Sequence, residues 1–194
     1  MEKIAKNITE FFIANKMISV NKKEWCIYVL QKKFLSLAST ILIIIISVFN
    51  RYVIETVSFS IAFITLRKKS GGIHMNSPGL CIFASSVMVG TLPLVINWME
   101  LYEENIIIIS LIVSIYIITK FSPINHPNIH FNRDEILANR RKVKIICKCI
   151  IVSYVVFYII NINTIANCIS LAAIYDAIGM LLSKLLLQEV KNEY

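Results

Sequence analysis

The chain has 194 residues, of which 57% are hydrophobic and only 16% are charged, and its mean hydropathy is +0.69. A soluble domain of this size could not bury so many apolar side chains in one core, so the composition excludes a soluble protein and indicates an integral membrane protein. The formal net charge is +8. The basic residues flank apolar segments, where anionic headgroups account for them better than nucleic acid does, so we expect the lipid bilayer as a partner and no nucleic acid.

The first 31 residues are amphipathic rather than continuously apolar. Ile4, Ile8 and Phe11 recur at a spacing that places them on one face of a helix. We therefore predict that residues 1–31 form one or two amphipathic helices that lie along the membrane surface, with the lysines toward water and headgroups. The alternative is a helix packed on the transmembrane bundle.

Six apolar runs follow, and they predict about six transmembrane helices. The runs are 34–49, 52–66, 81–99, 105–121, 145–163 and 164–187. Several are shorter than the roughly 20 residues that a straight helix needs to cross a bilayer, so four or five spans are the alternative. The predicted fold is an all-α, polytopic membrane protein with a single integral membrane domain over residues 1–194, in which 32–194 form the bundle.

The distribution of charge predicts the orientation of these helices. If the N-terminus is cytoplasmic, the lysines and arginines of 3–33, 67–69 and 120–144 all lie on the cytoplasmic side, whereas the outer loop carries Glu100 and Glu104. This is the asymmetry that the positive-inside rule describes. We therefore expect a multi-pass protein with both termini in the cytoplasm and with the segment 67–81 on the cytoplasmic side.

That segment reads Arg-Lys-Lys-Ser-Gly-Gly-Ile-His-Met-Asn-Ser-Pro-Gly-Leu-Cys and sets a histidine and a cysteine between two apolar runs. Ser77 and Pro78 predict a helix N-cap and first helical residue, which places Cys81 in the first turn. The helix dipole and the neighbouring basic residues favour a thiolate there. His74 can take the thiol proton, as nucleophilic acyl transfer requires. The alternative is a structural Cys81 and a His74 at the headgroup level.

The chain also carries the pattern of a known family. Its elements are Arg67, Gly71-Gly72, His74, Cys81, the turn Phe121-Ser122-Pro123 and the basic run 140–144. The pattern resembles the accessory gene regulator B (AgrB) family of bacterial membrane cysteine endopeptidases, which process the precursor peptide AgrD for quorum sensing. On matching positions, the resemblance implies that His74 is the general base and Cys81 the nucleophile. It also implies a homodimer in the bacterial cell membrane.

The resemblance implies a two-step reaction. Cys81 attacks a peptide bond of the AgrD-like precursor, releases the C-terminal tail and retains the rest as an acyl-thioester. An internal Cys or Ser of the peptide then attacks the thioester and closes a thiolactone or lactone ring. Such exchange requires that water is excluded and that the internal nucleophile is held close. Candidates that stabilise the oxyanion are the backbone amides of the helix first turn or of Gly71 and Gly72, and the Arg67 side chain.

Asp176 lies near the middle of the last apolar run, and an ionisable group at that depth is a candidate functional residue. It can orient His74. The alternatives are that it pairs with Lys148 or Lys184, or that it faces the bundle interior in protonated form.

Further candidates are weaker. Asn76 and Ser77 can orient His74, although Ser77 already has a capping role. Arg140 and Arg141 can attract an acidic precursor tail, although positive-inside topology alone would also place basic residues there.

The sequence predicts no metal and no cofactor. Pro127 interrupts the pair His126 and His130, while Cys147 and Cys149 would point to different faces of a helix. The rival function is a small membrane transporter or channel without peptidase activity, for which Asp176 would matter and Cys81 would not.

Overall fold

The computed structural model describes residues 2–71, 78–101, 104–124 and 133–185, and every regular element in these ranges is a helix. The predicted all-α class is therefore confirmed. The helices are α1 (Glu2–Ala14), a short 3-10 turn (Val20–Lys22), α2 (Lys23–Asn50), α3 (Val53–Ser70), α4 (Pro78–Met99), α5 (Glu104–Phe121), α6 (Arg133–Ile159) and α7 (Asn163–Leu185).

The amphipathic helix α1 packs on α2 through a narrow face. Ala5 and Thr9 are fully buried, whereas Ile4 and Phe11 are exposed. An ion pair of 3.1 Å between Lys23 Nζ and Glu10 Oε1 links the two helices. The packing face thus includes the small residues Ala5 and Thr9, whereas the bulky apolar side chains of Ile4 and Phe11 do not pack on α2.

The helix of the first predicted span begins earlier than the sequence indicated. α2 starts at Lys23 and runs without interruption to Asn50, so the predicted boundary at residue 31 falls inside a continuous helix. The physical reason is that this stretch contains no glycine or proline that would end a helix. Only the part of the predicted interfacial region that precedes Lys23 is separate from α2.

Four of the described helices are long and apolar enough to cross a membrane, as expected of a membrane protein. They are Val20–Asn50, Ile82–Met99, Glu104–Phe121 and Asn163–Leu185. The predicted count of six is not confirmed, because α3 and α6 are helices with more charge. α3 ends on three basic residues, and α6 carries basic residues as far along as Lys148.

Helix α7 lies at the centre of the bundle, where it contacts α3, α5, α6 and α4. Its buried face includes Ala166, Ser170, Ala173 and Ala177. Small side chains at this helical spacing let neighbouring backbones approach closely. α7 is therefore the helix against which the positions of the others are set.

Hydrogen bonds fix the two ends of the bundle. At the end that we call the Glu104 end, the hydroxyl of Tyr158 donates to Glu104, and Thr164 Oγ1 donates to Glu100 Oε1 over 3.3 Å. At the opposite end, the Gly71 end, the N–H of Ile124 donates to the carbonyl of Ser70 over 2.9 Å. The chain that follows α5 is thereby docked onto the end of α3.

Candidate active site

The structure places the backbone of Cys81 in the first turn of α4, because that helix begins at Pro78. Proline suits this position, since its fixed φ is helical and its missing N–H is not needed there. His74 and the side chain of Cys81 lie outside the described residues, as do Gly72, Asn76 and Ser77. The contact between imidazole and thiol therefore stays a prediction.

Gly71, from which the His74 segment departs, has a backbone conformation that requires glycine. Its φ is +79°, a value that residues with a Cβ rarely adopt. A Cβ at this position would lie 2.7 Å from the carbonyl oxygen of Ile124. Both the backbone angle and the neighbouring chain thus exclude a side chain at Gly71.

The side chain of Arg67 reaches the same point from the preceding helical turn. Its Nη1 donates to the carbonyl oxygen of Gly71 over 2.9 Å. The same nitrogen lies 3.9 Å from Oδ1 of Asp176 on α7. Arg67 therefore connects Asp176 on the central helix to the start of the His74 segment.

This arrangement corrects the expected environment of Asp176. The sequence suggested Lys148 or Lys184 as its partner, but its ion-pair partner among the described residues is Arg67. Lys148 is exposed, and Lys184 Nζ lies 4.1 Å from the ring centre of Phe121. No sequence signal could have paired Asp176 with Arg67, because the two lie on different helices and only the packing of α3 against α7 brings them together.

Asp176 is fully buried, and neither of its carboxylate oxygens makes a well-formed hydrogen bond to the described residues. The Ser70 hydroxyl donates to the Gly71 carbonyl over 3.4 Å and also lies close enough to Asp176 to stabilise its negative charge. A buried carboxylate without a nearby cation is strongly destabilising. The Ser70 hydroxyl and the Arg67 guanidinium are therefore the groups that stabilise a charged Asp176 here.

Gly179 provides the space that the guanidinium occupies. It follows Asp176 by about one helical turn, and a Cβ on it would lie 3.1 Å from Arg67 Nη1. The bare surface of α7 at Gly179 thus lets the Arg67 side chain lie against the helix and reach Asp176.

The other sequence candidates are less closely tied to this point. Arg140 and Arg141 are exposed on the first half of α6, which follows the chain that docks at the Gly71 end. Cys147 is buried and Cys149 exposed, so the two thiols lie on different faces as predicted. His126 and His130 lie outside the described residues.

A polar cavity at the Glu104 end corresponds to none of the predictions made from the sequence. It is lined by Glu100, Glu104, Tyr154, Tyr158 and Asn167, among others. This cavity lies at the opposite end of the bundle from Gly71, so it does not contribute to the candidate active site.

The comparison with protein families shows to which family the chain belongs. The family model described as accessory gene regulator B matches residues 5–182, which include every candidate site residue from Arg67 to Asp176. The chain belongs to the AgrB family. This confirms the resemblance carried by the segment 67–81 and links the protein to the accessory gene regulator system of quorum sensing and to its AgrD precursors. Comparisons with curated proteins and with solved structures gave no match.

Proposed function

We propose that the protein is a membrane-embedded cysteine endopeptidase that removes the C-terminal tail of an AgrD-like precursor and promotes its cyclisation. The observation that carries the proposal is the AgrB match over residues 5–182, which spans both His74 and Cys81. The start of α4 at Pro78 supports it, because a thiol in the first helical turn is stabilised as thiolate by the helix dipole.

In the first step, the proton of the Cys81 thiol moves to the His74 imidazole and the thiolate attacks the scissile carbonyl carbon. The tetrahedral intermediate collapses when the C–N bond breaks. The amine of the tail leaves with the proton from His74, and the remaining peptide is held on Cys81 as a thioester.

In the second step, an internal thiol or hydroxyl of the peptide gives its proton to His74 and attacks the thioester carbonyl. The bond to Cys81 breaks, the ring closes as a thiolactone or lactone, and the Cys81 sulfur regains the proton from His74. Ring closure competes with hydrolysis, so the site has to exclude water and hold the internal nucleophile near the thioester.

The hydrogen bonds at Gly71 bear on two of the candidate oxyanion donors, the Gly71 amide and the Arg67 side chain. The N–H of Gly71 points to the Arg67 carbonyl over 3.4 Å, and the Arg67 side chain donates to the Gly71 carbonyl. These donors are already engaged. The backbone amides of the first turn of α4 and of Gly72 stay candidates to stabilise the negative charge on the carbonyl oxygen.

We further propose six membrane helices in one integral membrane domain, with both termini and the Gly71 end in the cytoplasm, and a homodimer as the family implies. Two features of α3 and α6 support six helices. Both pack against the central helix α7. Their basic residues are concentrated in the last turn of α3 and the first half of α6, which belong to the Gly71 end.

Co-expression of the full chain with a candidate precursor peptide tests the proposed reaction. We expect mass spectrometry to detect a released tail, a cyclic peptide and an acyl group on the peptide that contains Cys81. Release of the tail with no acyl adduct on Cys81 under trapping conditions, and with unchanged rate after alkylation of Cys81, would contradict the proposal.

We expect the basic residues of α6 to assist binding of an acidic precursor tail. Reversing both charges, Arg140→Glu and Arg141→Glu, should raise KM by about tenfold through lost electrostatic attraction while kcat changes little. The effect should shrink as the salt concentration rises. Lys22→Glu is a suitable control, because Lys22 is also exposed but lies before α2. Equal effects of the two changes would show that the arginines act only through overall charge.

A further inference from the structure

We infer that Asp176 is a positioning residue for the proposed reaction, and that it acts through Arg67 on the carbonyl of Gly71, the last described residue before His74. This role rests on the proposed function of His74 and Cys81. It assigns to the central helix α7 a task at the active site, although α7 carries neither member of the catalytic pair.

The contacts form a short chain from α7 to the active-site segment. Asp176 Oδ1 lies 3.9 Å from Arg67 Nη1, and this nitrogen lies 2.9 Å from the Gly71 carbonyl oxygen to which it donates. The first distance is an electrostatic contact and the second a hydrogen bond. One guanidinium nitrogen therefore serves both, so a shift of Arg67 toward or away from Asp176 changes its bond to Gly71.

Asp176 is the fixed member of this chain. It is fully buried, and Ala172, Ala173 and Met180 around it on α7 are also fully buried. The Arg67 side chain, by contrast, is 25% exposed, and an arginine side chain has many rotamers. The carboxylate on α7 is thus a fixed negative charge that favours the guanidinium position from which Nη1 reaches the Gly71 carbonyl.

A second contact holds the chain at Ser70, the residue before Gly71, and it does not depend on charge. Ile124, which is buried, donates its N–H to the Ser70 carbonyl over 2.9 Å. Replacing the Asp176 charge leaves this contact intact. The change should therefore preserve the fold at the Gly71 end and remove only the alignment that Arg67 provides.

The effect on chemistry follows from sequence proximity. His74 follows Gly71 by three residues, so the direction in which the chain leaves Gly71 determines where the imidazole can lie relative to Cys81. Proton transfer and attack need the reacting groups within a few tenths of an ångström of the productive geometry, and a misplacement of about 1 Å can cost about 100-fold in rate.

The test compares Asp176→Asn, Arg67→Gln and the double variant in the full-length protein in lipid nanodiscs. With a synthetic precursor, we expect each single variant to lower kcat by about 10- to 100-fold with little change in KM. Because both residues act through one contact, the double variant should be no slower than the slower single variant.

A second readout separates positioning from general destabilisation. The alkylation rate of Cys81 is followed against pH by mass spectrometry of the peptide that contains it, so the other cysteines need no change. In the wild type, a His74–Cys81 pair should keep the thiol reactive well below its ordinary pKa. We expect Asp176→Asn and Arg67→Gln to lose this low-pH reactivity, as His74→Ala does.

Ser170→Ala is the matched control, since Ser170 is equally buried on α7 and its hydroxyl also lacks a hydrogen-bond partner among the described residues. It should retain wild-type cleavage and alkylation. Wild-type behaviour of Asp176→Asn, with Cys81→Ala inactive, would overturn the positioning role and leave the proposed function standing. Cleavage by Cys81→Ala would instead overturn the proposed function. Should Asp176→Asn fail to accumulate, Arg67→Gln decides by the same two readouts.

Gly179→Ala tests the geometry without removing either charge. Its Cβ would lie 3.1 Å from Arg67 Nη1, so the guanidinium has to move by a few tenths of an ångström. We expect kcat to fall by about tenfold or less, an effect of the same kind as that of Asp176→Asn but smaller. Wild-type kcat in Gly179→Ala together with a large loss in Asp176→Asn would show that the charge matters and the exact position of the guanidinium does not.

Discussion

Cys81→Ala is expected to abolish cleavage of the precursor while the protein still inserts in the membrane at its normal level. The reaction proposed here passes through a thioester on the Cys81 sulfur, and alanine has no group that can form it. Loss of a catalytic nucleophile lowers kcat by about 10⁴-fold or more. The measurement is the rate at which the tail appears by mass spectrometry, normalised to the amount of membrane-inserted protein.

Cys149→Ala is the control for this variant, because Cys149 is an exposed cysteine on α6 rather than in the first turn of α4. It should cleave at the wild-type rate. Cys81→Ser should also lose cleavage, since a hydroxyl is far less acidic than a thiol and the helix dipole cannot ionise it. Cleavage by Cys81→Ala at the wild-type rate would refute the endopeptidase proposal and favour the transporter or channel alternative.

Gly71→Ala is expected to destabilise the Gly71 end and to lower cleavage severely. The φ of +79° is unfavourable for alanine, and its Cβ would meet the Ile124 carbonyl oxygen at 2.7 Å. Backbone atoms cannot move aside as a flexible side chain can, so α3 and the docked chain must separate. Strain of this kind costs about 1–3 kcal/mol, which thermal unfolding in detergent can detect.

Gly90→Ala is the matched control, because Gly90 lies within α4 and a Cβ there has no neighbour within 4 Å among the described residues. Alanine in an open helical position should be neutral or slightly stabilising. Equal stability and activity of the Gly71 and Gly90 variants would mean that the contact between Gly71 and Ile124 is not needed for the fold or the reaction.

Local features of the fold were predictable because they depend on neighbouring residues. The start of α4 follows from Pro78, whose ring has a helical φ and needs no hydrogen bond. The unusual backbone of Gly71 follows from a residue without a Cβ at the end of a helix. Helix α2 continues through residue 31, because a change from amphipathic to apolar sequence alters what surrounds a helix without ending it.

The sequence by itself determined that this is a helical membrane protein of the AgrB family, through its hydropathy, its charge pattern and the motif at 67–81. These properties are read from adjacent residues or from composition. Only the tertiary structure decided that Asp176 pairs with Arg67 and that Arg67 holds the Gly71 carbonyl. Lysines on α6 and α7 were equally plausible partners for a buried carboxylate, and the choice depends on how α3 packs against α7, which no local pattern encodes.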